Sequence, residues 1–281
     1  MSTAPPMNKP KAPPPPAAKT ATTTAAVTGK YSMTRGVARV AERIGIFGPG
    51  GCGKTSLVAS LEKIGKRPLF IDLDEGSNQL DVARVSVETW NDIRAVLKDD
   101  SLWAEFDTVV VDSATKAEEL AGAWVLQNVK ADKNREVTRL AEYGYGKELE
   151  HIYEAFLNLM ADLDRHYRAG RNVVLIMHEC TASVPNPAGD DFIRYEPRLQ
   201  SPKSGKNSIR HRVKEWVDHL FFIGYDVHVN DESKARGSGT RTIYPQERPT
   251  HWAKSRSLSR EIVYQRDSVD LWNQLFNKET F

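Results

Sequence analysis

The chain has 281 residues, 40% of them hydrophobic and 27% charged, which is ordinary for a soluble globular protein with one sizeable core plus appendages. Its two cysteines, Cys52 and Cys180, exclude a disulfide framework and fit a reducing cytoplasm, and no apolar run approaches the length of a membrane span. The net charge of +2 does not argue for nucleic acid by itself, but Asp72 to Glu119 holds thirteen acidic and four basic residues, whereas Lys234 to Arg260 holds seven basic and one acidic. Such polarity suits subunits stacking acidic face to basic face, or a basic face offered to a polyanion.

Residues 1–30 are mostly Pro, Ala, Thr and Lys, without the apolar centre of a signal peptide. They cannot bury enough apolar surface to order themselves, so a disordered tail is expected there, followed by a core over 31–281. "RIGIFG" (Arg43 to Gly48) reads as a short buried strand, and Lys54 to Ile64 has helical spacing. "RPLFIDLDEG" (Arg67 to Gly76) is a second strand ending in acids, "ARVSVET" a third, and Trp90 to Leu97 a short helix. "FDTVVVDS" (Phe106 to Ser113) is a continuous apolar run ending in a carboxylate, as expected of a strand covered on both faces. Helices follow around Lys116 to Val129 and Lys147 to Tyr167, and "RNVVLIMHE" is the next buried strand, ending at His178.

This alternation predicts an α/β fold with a mainly parallel sheet flanked by helices and a ligand site at the strands' carboxyl ends. From Cys180 to Ser208 the chain is polar and rich in Pro, Gly and basic residues, which predicts a long loop, basic over about 180–214. "HLFFIGYDVHV", "TRTIYP" and "SREIVYQ" read as further, antiparallel strands at the C-terminal edge, with a closing helix over Val269 to Phe276.

"GPGGCGKTS" fits G-x-x-x-x-G-K-[ST] between a strand and a helix, the context that confirms a phosphate-binding loop. Gly48, Pro49, Gly50, Gly51, Cys52, Gly53, Lys54, Thr55 and Ser56 are the nucleotide contacts expected. Glycines let backbone N–H groups curl around a phosphate, and the helix starting at Lys54 points its positive end at the same anion. Lys54 would reach the β- and γ-phosphates, and the Thr55 hydroxyl would ligate Mg²⁺. Cys52 lies beside a helix end that can lower a thiol pKa, but it reads as a small filler. Asp112, ending "VVVD", is the second group expected at the metal, as a Walker B acid. Asp74 and Glu75 end another strand where a residue could orient or deprotonate water, with Asp72 inside that strand, and His178 could touch the γ-phosphate edge. In "WAKSR", an extended backbone would put Lys254 and Arg256 on one face.

Taken together, "GIFGPGGCGKTS", "LFIDLDEG", "FDTVVVDS", "NVVLIMHE" and "WAKSR" resemble the RecA-type P-loop ATPases. More narrowly the chain resembles phage AAA-type ATP-binding proteins that include reduced, RecA-core-only single-strand annealing recombinases. The resemblance runs from about Arg43 to Arg260. It implies a RecA-like P-loop NTPase core that binds ATP and Mg²⁺ and hydrolyses ATP, with a catalytic acid at the strand after the P-loop helix. RecA reads Asp-Ala-Glu there, which registers its glutamate on Asp74 and leaves Asp74 and Glu75 both open here. The resemblance also maps the γ-phosphate-sensing residue to His178 and implies that Lys254 and Arg256 reach a neighbouring subunit's γ-phosphate. The rival readings of that pair are a grip on DNA phosphates or solvated surface charge.

The segment after His178 occupies the place of a RecA-like DNA-binding loop. Arg198, Lys203, Lys206, Arg210 and Arg212 are the backbone-phosphate contacts expected, with Tyr195 and Trp216 available for stacking; "EYGYGKE" (Glu142 to Glu148) is a lesser candidate. The implied function is ATP-dependent binding of single-stranded DNA in annealing or recombination. Its expected partners are single-stranded DNA, further copies of the chain in a ring or filament, and a single-strand DNA-binding protein. The alternatives are a nucleotide-switched assembly or loader ATPase acting on a protein partner without DNA, and a translocating motor.

Overall fold

The computed structural model describes residues 26–28, 31–33, 35–36, 41–229, 235–265 and 268–276. A first unit, residues 1–39, contains β1 (Ala26–Thr28) paired antiparallel with β2 (Tyr31–Met33). The remainder of the tail expected over residues 1–30 lies outside the described residues.

The second unit, residues 40–281, follows the alternation read from sequence. Its elements are β3 (Arg43–Phe47), α1 (Lys54–Ala59), β4 (Pro68–Asp72), β5 (Arg84–Ser86), α2 (Trp90–Lys98), β6 (Thr108–Asp112), α3 (Ala114–Asn128), α4 (Lys147–Arg168) and β7 (Asn172–Met177). After these come β8 (Glu179–Val184), β9 (Phe192–Pro197), α5 (Ile209–Trp216), β10 (His219–Val229), β11 (Ala235–Tyr244), β12 (Lys254–Ser255), β13 (Ile262–Tyr264) and α6 (Asp270–Phe276). The main sheet runs β13-β11-β10-β3-β7-β6-β4-β5, with β12 also paired to β10. It is parallel from β10 to β5, and β11, β12 and β13 join antiparallel. That is the mainly parallel α/β sheet, with antiparallel strands at one edge, expected of a RecA-like P-loop NTPase core.

Both faces of the sheet are covered, which is why its central strands are apolar throughout. In β6 all five residues are buried, with Val109 and Val111 packing towards α2, α3 and α4 and Val110 towards α1 and α6. Helix starts are set by short polar side chains. Thr89 and Asp92 form a capping box on α2, while Ser113 and Ser208 accept from the third backbone N–H of α3 and α5.

Three expectations are corrected. The helix after the P-loop is α-helical only to Ala59 and continues as a 3-10 helix over Ser60–Ile64. The strand beginning "HLFF" is parallel to β3 on one side, and antiparallel only to β11 and β12. The stretch expected as a basic loop over 180–214 contains the antiparallel β8–β9 hairpin and α5. The hairpin stands apart from the main sheet, so its strands carry no continuous apolar run. Exposed Thr181, Ser183, Ile193 and Tyr195 instead alternate with more covered neighbours.

Candidate active site

Residues 48–53 connect β3 to α1, and Gly51 and Gly53 take left-handed backbone angles, φ 75° and 92°. A Cβ built on Gly50 or Gly51 meets nothing within 4 Å, so the rim of the loop is open. At Gly48 a Cβ would lie 2.3 Å from the carbonyl oxygen of Ile223. The Lys54 ammonium is almost covered and donates to the carbonyls of Gly48 and Pro49, at 2.9 and 2.8 Å, which places it over the loop it follows. Cys52 is buried and its thiol is pushed up by that burial, which fits the small-filler reading.

The Thr55 hydroxyl donates to Asp112 Oδ2 at 2.7 Å. Burial raises the Asp112 carboxyl to about 6; the Thr55 hydrogen bond opposes the rise, and the charges of Asp72 and Asp74 add to it. Asp72, expected inside its strand, is the last residue of β4: Oδ2 accepts from the Ser77 backbone and hydroxyl, while buried Oδ1 has no hydrogen-bond partner. A crowded set of carboxylates with one unsatisfied oxygen and one costly charge fits a site that takes a cation. Among the described residues no group of three His, Cys, Asp or Glu side chains could hold a metal alone. Thr55 and Asp112 therefore fit Mg²⁺ shared with phosphate oxygens, the usual arrangement for this ion.

β7 lies between the P-loop strand β3 and the Asp112 strand β6, and β4 lies beyond β6. The residues following these four adjacent parallel strands consequently meet at one end of the sheet. Asp74 Oδ2 accepts from the Ser113 hydroxyl at 2.5 Å and lies 3.4 Å from His178 Nε2. The hydrogen bond from His178, helped by that from Ser113, holds the Asp74 carboxyl below its usual value. His178 is fixed through its backbone, which donates to Thr115 Oγ1 at 3.0 Å. Glu75 is exposed with φ 55°. Of the two acids left open by sequence, Asp74 is the one in contact with Ser113 and His178.

Lys254 and Arg256 stand near the other end of the sheet. Lys254 pairs with Leu220 and Ser255 with His219, at the amino end of β10. The Lys254 ammonium donates to the carbonyls of Lys214, Glu215 and Val217, at 3.0, 3.2 and 2.7 Å, capping the end of α5. Arg256 bridges to Asp218 at 3.2 Å and keeps a side chain 60% exposed. Among the expected DNA contacts, Arg198, Lys203, Lys206 and Arg212 are exposed. Arg210 is half-buried and spent internally on Glu196 at 2.6 Å and the Leu199 carbonyl at 3.1 Å. Trp216 is buried and donates to Asp164, whereas Tyr195 is 41% exposed. In "EYGYGKE", Tyr143 is buried and Tyr145 is fully exposed.

Sequence reasoning missed the groups that brace the loop from behind. Arg241 of β11 donates to the Cys52 carbonyl at 2.8 Å, and the Tyr264 hydroxyl of β13 donates to the Gly53 carbonyl at 2.8 Å. Arg241 also lies over the Tyr264 ring, 4.7 Å from its centroid. Both residues are about 200 positions downstream of the loop, and no spacing rule connects them to it. Ser113 was legible only as a residue after the Asp112 strand, and Glu179 only as the residue after His178.

Comparison with known proteins places this geometry. A family model described as an AAA domain matches residues 41–257. No curated protein matches the sequence. Among solved structures the chain is similar to the flagellar accessory protein FlaH from Methanocaldococcus jannaschii, with 10% identity, 80% of this chain and 84% of that one covered, and a TM-score of 0.39. It is also similar to a KaiC-like protein from Pyrococcus horikoshii, with 12% identity, coverage of 80% and 85%, and a TM-score of 0.40. For an ATPase from the type III secretion system of pathogenic bacteria the values are 15% identity, 65% of this chain and 52% of that one, and 0.38.

Proposed function

The chain belongs to the AAA-domain family of P-loop ATPases, and from that premise we propose that it is a Mg²⁺-dependent ATP hydrolase of phage recombination type, which binds single-stranded DNA and promotes annealing as an oligomer. The observation that carries the ATPase reading is the meeting of Lys54, the Thr55–Asp112 pair and the Asp74–Ser113–His178 cluster at one end of the sheet. The loop from Gly50 to Thr55, with the Lys54 ammonium, would hold the phosphates, and Thr55 with Asp112 would hold Mg²⁺, which would supply charge neutralisation there. Asp74, kept ionised by its donors, orients the attacking water through an accepted hydrogen bond, and His178 bridges that acid to the strand leading into the hairpin.

Arg256 is the residue proposed to reach the nucleotide of a neighbouring copy, with Lys254 fixing the backbone beside it. The exposure of Arg256 supports this role, and an arginine suits charge on a transferring phosphoryl group. Exposed Arg198, Lys203, Lys206 and Arg212 support the DNA reading. The test is a mobility shift of single-stranded oligonucleotide at low salt, with and without ATP, beside a phosphate-release assay with Mg²⁺. Hydrolysis without any shift rejects the DNA role and favours a loader acting on a protein partner. A folded protein that neither binds nor hydrolyses ATP rejects the whole reading.

A further inference from the structure

Beside the nucleotide loop lies a second concavity that the chemistry above does not use. The β8–β9 hairpin and the β10–β11 ribbon border a cleft of about 490 Å³, and Pro49 of the glycine loop forms part of its wall. The cleft is built around a ladder of rings. Tyr195 stacks on Phe222 with centroids 5.4 Å and planes 14° apart, and Phe222 stacks on His251 at 4.9 Å and 21°. Tyr244 stands 4.5 Å from His251. Phe222 and His251 are buried, while Tyr195 at the end of the ladder is 41% exposed.

Tyr195 is not a loosely held surface residue. Its backbone N–H donates to the Thr250 carbonyl at 2.8 Å and its carbonyl accepts from Trp252 at 2.9 Å, so the backbone that carries the ring is pinned to the segment flanking His251. A ring packed on one side and wet on the other is a platform that one more planar ring would extend. Glu179 shares the wall with these rings, and its Oε2 is buried without a hydrogen-bond partner. A buried acceptor with no donor is costly unless a ligand brings one. Burial also raises the Glu179 carboxyl, against the lowering effect of Lys54.

We propose that this cleft takes one unpaired nucleobase of single-stranded DNA, stacked against Tyr195 and donating an amino or ring N–H to Glu179. The proposal rests on the single-stranded DNA reading above and adds a base contact to its backbone contacts. Cytosine, adenine and guanine offer amino donors to a carboxylate, whereas thymine flanks its one N–H with two carbonyls and is the poorest match. Because Pro49 lines the cleft and its carbonyl accepts from Lys54, an occupying base touches the loop that holds the phosphates.

The experiment compares labelled oligo(dC) and oligo(dT) of equal length at low salt, using the full chain and the variants Tyr195→Leu, Tyr195→Phe and Glu179→Gln, each checked by thermal melting. Tyr195→Leu should weaken oligo(dC) binding about tenfold, the order of one lost base stack, while Tyr195→Phe binds as wild type. Glu179→Gln should shrink the preference for oligo(dC) over oligo(dT). Independently of any variant, 2-aminopurine substituted into a bound oligonucleotide should lose fluorescence on stacking. Wild type that binds DNA with no quenching, and whose affinity and base preference survive Tyr195→Leu and Glu179→Gln, overturns the cleft while leaving DNA binding intact. A folded wild type that binds neither oligonucleotide overturns both.

Discussion

Replacing Asp112 by Asn separates what this residue costs the fold from what it gives the site. The carboxyl stands at about 6 in the folded chain against an ordinary 3.8, chiefly because it is buried. A raised carboxylate pKa means that the folded state binds the proton more tightly than the unfolded state. Stability therefore falls as pH rises from about 4 to about 6, and the full penalty persists above that. At about 1.4 kcal/mol per pH unit, the displacement amounts to about 3 kcal/mol at pH 8. Asn keeps the shape and an acceptor for Thr55 but carries no charge. In EDTA without nucleotide at pH 8, Asp112→Asn should melt higher than wild type, by on the order of 5 °C for a domain of this size. At pH 5, where the native carboxyl is mostly protonated, the gap should narrow to about half. The same variant should lose Mg²⁺-dependent phosphate release, because the metal loses a charged ligand. Equal melting of the two proteins at pH 8, or a gap that ignores pH, refutes the argument that burial sets the Asp112 charge.

Arg256→Ala should leave the melting temperature nearly unchanged, since Arg256 is itself exposed and the buried Asp218 still accepts from the backbone and guanidinium of Arg43. It should cut ATP turnover, with partial recovery on mixing with Lys54→Ala protein; no recovery in co-assembled mixtures removes the finger acting in trans. Lys254→Met, in contrast, should lower stability by roughly 1–3 kcal/mol in denaturant titrations, because three carbonyls at the end of α5 lose a charged donor. Gly53→Ala should weaken binding of a fluorescent ATP analogue, for its Cβ would lie 2.9 Å from both Arg241 and the Tyr264 hydroxyl at a backbone φ of 92°. Asp74→Asn should reduce phosphate release far more than Glu75→Gln, and the reverse ranking in a single-turnover assay would transfer the role to Glu75.

The order of the central elements was legible because their signals are local. "FDTVVVDS" buries both faces of a strand and can be read as one continuous run, and the glycine loop has its chemistry in nine consecutive residues. Strand ends then carried Asp74, Asp112 and His178 to one edge, since the parallel topology brings their carboxyl ends together. The hairpin at 179–197 reads as loop in the sequence because, away from the main sheet, its strands cover only part of each side chain and leave composition dominated by polar residues. Cation roles were equally illegible: Lys254 in "WAKSR" reads as a cation aimed at a neighbour's γ-phosphate, yet it caps a helix about 40 residues earlier in the chain. The sequence thus determined which residues form the glycine loop and start the helix after it, through contacts made within one turn of chain. Tertiary structure alone decided that Arg241 and Tyr264 brace the loop, that Asp74 rather than Glu75 touches Ser113 and His178, and that rings far apart in the chain line one cleft. Those contacts depend on sheet order and register, which no local spacing records.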